Sequence, residues 1–146
     1  MQMPLLASII MFISLIPTAQ RNTHPGKQAK QPAELWCTGD DDLSQRMCHA
    51  FFTAFESTQY FDLQEENKPG NLIISIPENV GWKKVGKRMK IFYSVEFSTS
   101  DERVFMTRKG WCWHKQYDRC ANQILRHARV ATRRLAFQHT LIGPSK

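Results

Sequence analysis

The sequence lacks the short motifs that mark the common enzyme families. It has no GxSxG nucleophile elbow, no phosphate-binding P-loop and no GxGxxG dinucleotide motif. It also lacks the CxxC and HExxH spacings that typify redox and zinc sites. These absences exclude the motif-defined families and leave only an enzyme whose catalytic residues are scattered along the chain. The sequence therefore favours a binding protein without a cofactor or a bound metal.

The first twenty residues lack any charged side chain, and residues 5–16 form an apolar run. The run is short for a membrane span, which needs about 20 apolar residues, and it fits the apolar region of a secretory signal. Ala19 offers a small residue for cleavage, although no Lys or Arg precedes Leu5. We predict that residues 1–19 are a cleaved signal peptide and that the protein is periplasmic or secreted. An uncleaved anchor is the alternative.

The rest of the chain divides by composition. Residues 20–34 are polar, contain two prolines and show no apolar period, which predicts a flexible leader. Residues 35–140 carry the periodic apolar patterns of a single domain, and residues 141–146, with Gly143-Pro144, read as a tail. The formal net charge of +7 favours anionic partners and says nothing about fold.

Four cysteines are present, which in an oxidising compartment indicates two disulfides. The simplest pairing is Cys37 with Cys48 and Cys112 with Cys120, two local bridges at matching joints between a strand and a helix. A crossed pairing remains open. A zinc site is disfavoured because Cys112, His114 and Cys120 supply three donors at irregular spacing.

Two segments show the 3.6-residue period of helices. In the first, which Asp40 or Asp41 would cap, the apolar face comprises Leu43, Met47, Ala50, Phe51, Ala54 and Phe55. In the second, which begins near Tyr117 and ends near Gln138, it comprises Cys120, Ala121, Ile124, Leu125, Ala128, Ala131 and Leu135.

Strands are indicated between the helices by β-rich apolar runs and by alternation. Residues 60–63 and 71–76 read as short strands, whereas 89–99 and 103–113 read as a long hairpin closed by the turn at residues 100–102. Residues 35–37 read as a short strand or a docked segment, and residues 78–88 as a basic loop. We expect an α+β two-layer sandwich, in which an antiparallel sheet is covered by two helices and stapled by disulfides.

A helix ending in FESTQYFDL, then NLIISI, a long hairpin and a closing helix resembles small bacterial envelope domains of the TolB amino-terminal, LpoB and CsgG type. The resemblance spans residues 41–136 and concerns the order of elements. It implies a protein-docking domain of the bacterial envelope without catalysis. This chain departs from that pattern by lacking a lipid-anchoring cysteine and by having four others, and no functional residue carries over.

The strongest candidate site is a basic face of the second helix, formed by Arg119, Arg126, Arg129 and Arg133 opposite the apolar side. The last three lie within about 60° of one another on the helical wheel. A second basic patch comprises Lys83, Lys84, Lys87 and Arg88. The structural alternative for both is a solvated face that keeps the protein soluble. Trp111 and Trp113 alternate along a strand and would face the same way, either in the core or as anchors for a partner.

These features predict an exported, non-enzymatic binding or accessory protein that docks an anionic protein or another envelope component through its basic helix face. Export disfavours nucleic acid as the partner, and a peripheral membrane contact stays open. The alternative is a small secreted hydrolase or effector that uses His49 or His114.

Overall fold

A computed structural model describes residues 29–65, 68–101 and 103–141, the last four as backbone only. The predicted signal peptide, most of the leader and the tail beyond Leu141 lie outside these residues. The elements follow the order β1 (Gln31–Cys37), α1 (Asp42–Glu56), β2 (Phe61–Leu63), β3 (Leu72–Ile76), β4 (Gly81–Val85), β5 (Arg88–Thr99), β6 (Val104–Trp113) and α2 (Tyr117–Leu141).

The six strands form one open sheet. Strand β1 pairs in parallel with β2 and with β3, whereas β5 pairs antiparallel with β3, β4 and β6. Because β6 occupies one edge of β5 along most of its length, β3 and β4 share the opposite edge. The predicted α+β class is confirmed, but the sheet is mixed and not antiparallel throughout. The parallel pairing of β1 and β2 arises because α1 carries the chain back between them.

The core lies between the sheet and the two helices. The alternation of β5 places Ile91, Tyr93, Val95 and Phe97 in the core, as the sequence predicts. Met47, Phe51 and Phe55 of α1 are also buried there, and α2 contributes Cys120, Ala121, Ile124, Ala128, Ala131 and Leu135. Neither of the two described helices packs on the opposite face of the sheet, which we call the helix-free face.

Two boundaries differ from the prediction. Strand β1 begins at Gln31, inside the predicted leader, because its backbone forms hydrogen bonds with the residues on either side of β2. The Gln31 amide donates to the Tyr60 carbonyl at 2.9 Å, and the Gln64 amide donates to the Ala33 carbonyl at 2.9 Å. Helix α2 continues to Leu141, past its predicted end.

The predicted basic loop contains the regular strand β4, which runs opposite the first residues of β5. Every residue of β4 is exposed, so no apolar pattern marks it in the sequence. A two-residue turn, Gly86-Lys87, joins the strands, and Gly86 has a φ of 60°. Glycine at the first central position is typical of tight hairpin turns, because that position requires a positive φ.

Asp41 caps α1, which settles the choice between Asp40 and Asp41. Its carboxylate accepts hydrogen bonds from the Ser44 amide at 2.9 Å and from the Ser44 hydroxyl at 2.8 Å. The buried Ser44 hydroxyl in turn accepts from the Val80 amide at 2.9 Å, which ties the start of α1 to the loop before β4. The hydrogen bonds from Ser44 lower the pKa of Asp41.

Both predicted disulfides are present. Cys37 at the end of β1 is bonded to Cys48 of α1, and Cys112 of β6 is bonded to Cys120 of α2. Each bridge joins the end of a strand to the helix that follows it. Cys112 and Cys120 are fully buried in the core, so the second bridge also contributes packing.

Candidate functional site

The four candidate arginines of α2 line two neighbouring surface grooves. One groove, of about 480 Å³, is lined by Tyr60, Asp118, Arg119, Asn122, Leu125, Arg126 and Arg129. The other, of about 620 Å³, is lined by Ala29, Lys30, Gln31, Gln59, Tyr60, Phe61, Arg129, Thr132 and Arg133. Because Tyr60 and Arg129 line both, the two form one continuous surface, which we call the arginine groove.

Tyr60 forms the aromatic wall where the two grooves meet. It lies between the end of α1 and the start of β2, and its carbonyl is fixed by the Gln31 amide. The guanidinium of Arg129 stacks over the Tyr60 ring, with Cζ 3.9 Å from the ring centroid. A cation over an aromatic face is attracted by the ring's electrons, so this contact holds the half-buried Arg129 in place. Tyr60 itself remains 38% exposed.

The charge of the arginine groove is poorly compensated. Among the described residues the only ion pair is between Arg46 and Asp42, on the exposed surface of α1. Among the described residues that line the groove, Asp118 is the only carboxylate, against four arginines and Lys30. The groove is therefore a region of positive potential with open space beside it.

The second basic patch lies elsewhere. Lys83 and Lys84 belong to β4, Lys87 to the turn and Arg88 to the start of β5. All four are exposed, and none of them lines the arginine groove. The structure thus gives two separate basic surfaces, one beside the helical layer and one at the end of a hairpin.

Trp111 and Trp113 join the second surface. Both project from β6 onto the helix-free face of the sheet, so they share a face as predicted, and neither lies in the core. The Lys90 ammonium lies 3.6 Å from the centroid of the Trp111 ring, and the Arg88 guanidinium lies 4.0 Å from that of Trp113. Cross-strand register produces this alternation of rings and cations, since Lys90 pairs with Trp113 and Phe92 with Trp111.

The two histidines of the hydrolase alternative lie apart from both surfaces. His49 is exposed on α1, and the half-buried His114 ring meets the edge of Tyr117 at a centroid distance of 5.9 Å. In the part of the chain that the structure describes, neither imidazole is hydrogen-bonded to a carboxylate or a hydroxyl. No group of three or more His, Cys, Asp or Glu side chains is placed to hold a metal ion in the same part.

Tyr60, Lys30 and Gln31 are site residues that the sequence did not reveal. They lie next to short polar segments, in which apolar residues show no periodic pattern. Their position in the groove depends on the parallel pairing of β1 with β2, which brings the starts of the two strands together. A tyrosine directly before a short strand was the only available signal.

Comparisons with known proteins add little. No protein-family model matches the chain, and no curated protein matches it. Among solved structures, a minor lipoprotein from Acinetobacter baumannii is similar over 70% of this chain and 94% of that chain, with 11% identity and a TM-score of 0.45. No functional conclusion follows from so slight a likeness. Within residues 29–65, 68–101 and 103–141, no helix has the length and apolarity needed to cross a bilayer.

Proposed function

We propose that this protein is an exported, non-enzymatic binding protein of the bacterial envelope, which docks an acidic segment of a protein partner in its arginine groove. The predicted signal peptide and the two disulfides support an oxidising location outside the cytosol. The order of elements that resembles envelope docking domains supports a docking role.

The observation that carries the proposal is the continuity of the groove along α2. An isolated surface arginine is explained by solubility alone. Here Arg126, Arg129 and Arg133 lie on one stripe of the helix and line a concave surface with an aromatic wall. A volume of about 620 Å³ in one half exceeds what a single small anion fills and suits several residues of an extended segment.

Carboxylate side chains are the ligands that fit this surface best. The planar guanidinium donates two parallel hydrogen bonds to a carboxylate, and such charge-assisted bonds are stronger than neutral ones. Positive potential over the groove also raises the association rate with an acidic partner, an effect that salt screens. Binding should therefore weaken steeply as ionic strength rises.

A matched pair of variants tests the proposal. The first variant, R126E/R129E/R133E, inverts the stripe in the groove. The second, K83E/K84E/K87E, makes the same change of charge at the hairpin, outside the groove. Each protein is tagged, captured with its partners from a cross-linked envelope fraction, and compared by quantitative mass spectrometry.

We expect a specific acidic protein to be captured by the wild type and by the lysine variant, and to be lost from the arginine variant. The lysine variant should melt near the wild-type temperature, because exposed charges usually change stability by less than about 0.5 kcal/mol. The arginine variant should melt at a somewhat lower temperature, because R129E also removes the contact of the half-buried Arg129 with the Tyr60 ring, worth about 0.5–2 kcal/mol. Equal capture by the arginine variant and the wild type would refute the arginine groove as the docking site.

A further inference from the structure

The hairpin that joins β4 to β5 projects from the body of the domain. We call residues 81–90 the hairpin tip. Every residue of β4 is exposed, and the tip lies before Ile91, the first buried residue of β5. Along its side, the end of β6 adds Trp111 and Trp113.

The tip combines positive charge with exposed apolar groups. Its cations are Lys83, Lys84, Lys87, Arg88 and Lys90, and no acidic residue occurs from residue 79 to residue 95. Trp82 is 62% exposed, Val85 is 45% exposed and the adjacent Trp111 is 42% exposed. Soluble proteins rarely expose contiguous apolar patches, so a cluster of exposed apolar groups indicates a contact surface.

Both faces of the tip carry these groups. In the register with β5, Lys83 and Val85 share the helix-free face with Lys90, whereas Trp82 and Lys84 point to the opposite face. A groove for a polymeric ligand would use one face and leave Trp82 in water. A bilayer surface surrounds an inserted tip and meets both faces at once, which favours lipid over a soluble chain.

The chemistry of each side chain fits the headgroup region. Tryptophan prefers the boundary between water and hydrocarbon, because its ring is apolar and its N–H needs a polar partner. Lysine and arginine bury their stems while their charged ends reach lipid phosphates. Two contacts, Lys90 over Trp111 and Arg88 over Trp113, keep a ring and a cation side by side. Ring and cation can therefore reach the headgroup region together.

We propose that the hairpin tip binds the surface of bilayers that contain anionic lipid, as a peripheral contact. Each cation near such a surface strengthens binding about fivefold, so loss of three cations should weaken it on the order of 100-fold, and their inversion to glutamate should weaken it further. This inference concerns a different surface from the arginine groove and does not rest on the proposed protein partner.

The test measures partitioning of the full chain, as recovered from cells, onto vesicles of phosphatidylcholine with or without phosphatidylglycerol. The wild type is compared with K83E/K84E/K87E and with the matched control R126E/R129E/R133E. Quenching of tryptophan fluorescence by brominated lipid reports contact of the exposed rings with lipid. Because Trp36 of β1 is also 55% exposed, a Trp82→Phe variant assigns the share of the tip.

We expect phosphatidylglycerol-dependent binding that falls at least about 100-fold in the lysine variant and little in the arginine control. Quenching should decrease when Trp82 is replaced. Equal losses in both triple variants would show that net charge alone drives binding and would overturn the proposal. So would wild-type binding by the lysine variant, or absence of quenching. Because protein capture depends on the other triple variant, failure here leaves the arginine groove proposal standing.

Discussion

Gly110 allows a sharp prediction about packing between β5 and β6. Gly110 lies directly opposite Tyr93 in the hairpin, and the Tyr93 ring occupies the space over the glycine. A Cβ atom added at Gly110 would lie 2.8 Å from Tyr93 Cε1, and closer still to Tyr93 Cζ and to the hydroxyl oxygen. Tyr93 has little freedom to move, because it is buried and its hydroxyl donates to Gln123 Oε1 at 3.1 Å.

The expected cost of Gly110→Ala follows from these contacts. Overpacking a filled site costs about 1–3 kcal/mol, and loss of the hydrogen bond to Gln123 adds about 1 kcal/mol. Replacing glycine restricts the unfolded chain and returns about 0.4–1 kcal/mol. The free energy of unfolding should therefore fall by about 2 kcal/mol, which lowers the melting temperature by roughly 8 °C in a domain of this size.

Gly81 provides the matched control within the same sheet. A Cβ atom there would lie 3.8 Å from the Cβ of Phe92, an ordinary contact, and its φ requires no glycine. Gly81→Ala should leave stability unchanged or raise it slightly. In urea unfolding, equal stability of Gly110→Ala and Gly81→Ala would refute the reasoning. In a Tyr93→Leu background, Gly110→Ala should cost almost nothing, because the ring is gone.

Further predictions concern the second disulfide, two ionisable side chains and the signal peptide. Replacing Cys112 and Cys120 together with alanine should lower the free energy of unfolding by about 2–3 kcal/mol, the loop-closure value for so short a loop, as measured in urea. Non-reducing peptide mapping should find this bridge and no free thiol. Burial raises the pKa of Tyr93 to about 12. Its neutral form therefore stabilises the fold below pH 10 and loses this effect as pH rises towards 12, a loss that unfolding measurements should not find in Tyr93→Phe. The pKa of Asp41 is lowered, so here the charged form stabilises the fold. Asp41→Ala should therefore lower the free energy of unfolding at neutral pH, and its difference from wild type should shrink below about pH 4. Mass spectrometry of the exported protein should show loss of residues 1–19, and a full-length chain in the cytosol would contradict the predicted location.

Periodicity accounts for what the sequence predicted of the fold. The buried residues of both helices and of β5 recur at fixed intervals along the sequence. They could therefore be identified without knowledge of the residues that they pack against. Strand β4 was missed and strand β1 was predicted too short, because backbone hydrogen bonds hold both in place. Backbone hydrogen bonds impose no pattern on the side chains. Gly110 shows the same limit, since its need for a small residue comes from Tyr93 across the strands.

The candidate site divides in the same way. The arginine stripe could be read from the helical wheel, because a helix fixes the relative directions of Arg126, Arg129 and Arg133. The groove could not, because Tyr60 reaches Arg129 only through the packing of α2 against α1, the helix that Tyr60 follows. Likewise, the lysines at residues 83–87 and the two tryptophans of β6 were separate candidates until the register of β5 with its neighbours joined them.

Site-specific photo-cross-linking tests the central claim most directly. A photoreactive amino acid at Asn122, which lines the arginine groove, is compared with one at Gln45, which is exposed at the start of α1. The account predicts a cross-link to one acidic envelope protein from Asn122, lost in R126E/R129E/R133E and absent from Gln45. Equal cross-linking from the two positions, or persistence of the adduct in the arginine variant, would contradict it.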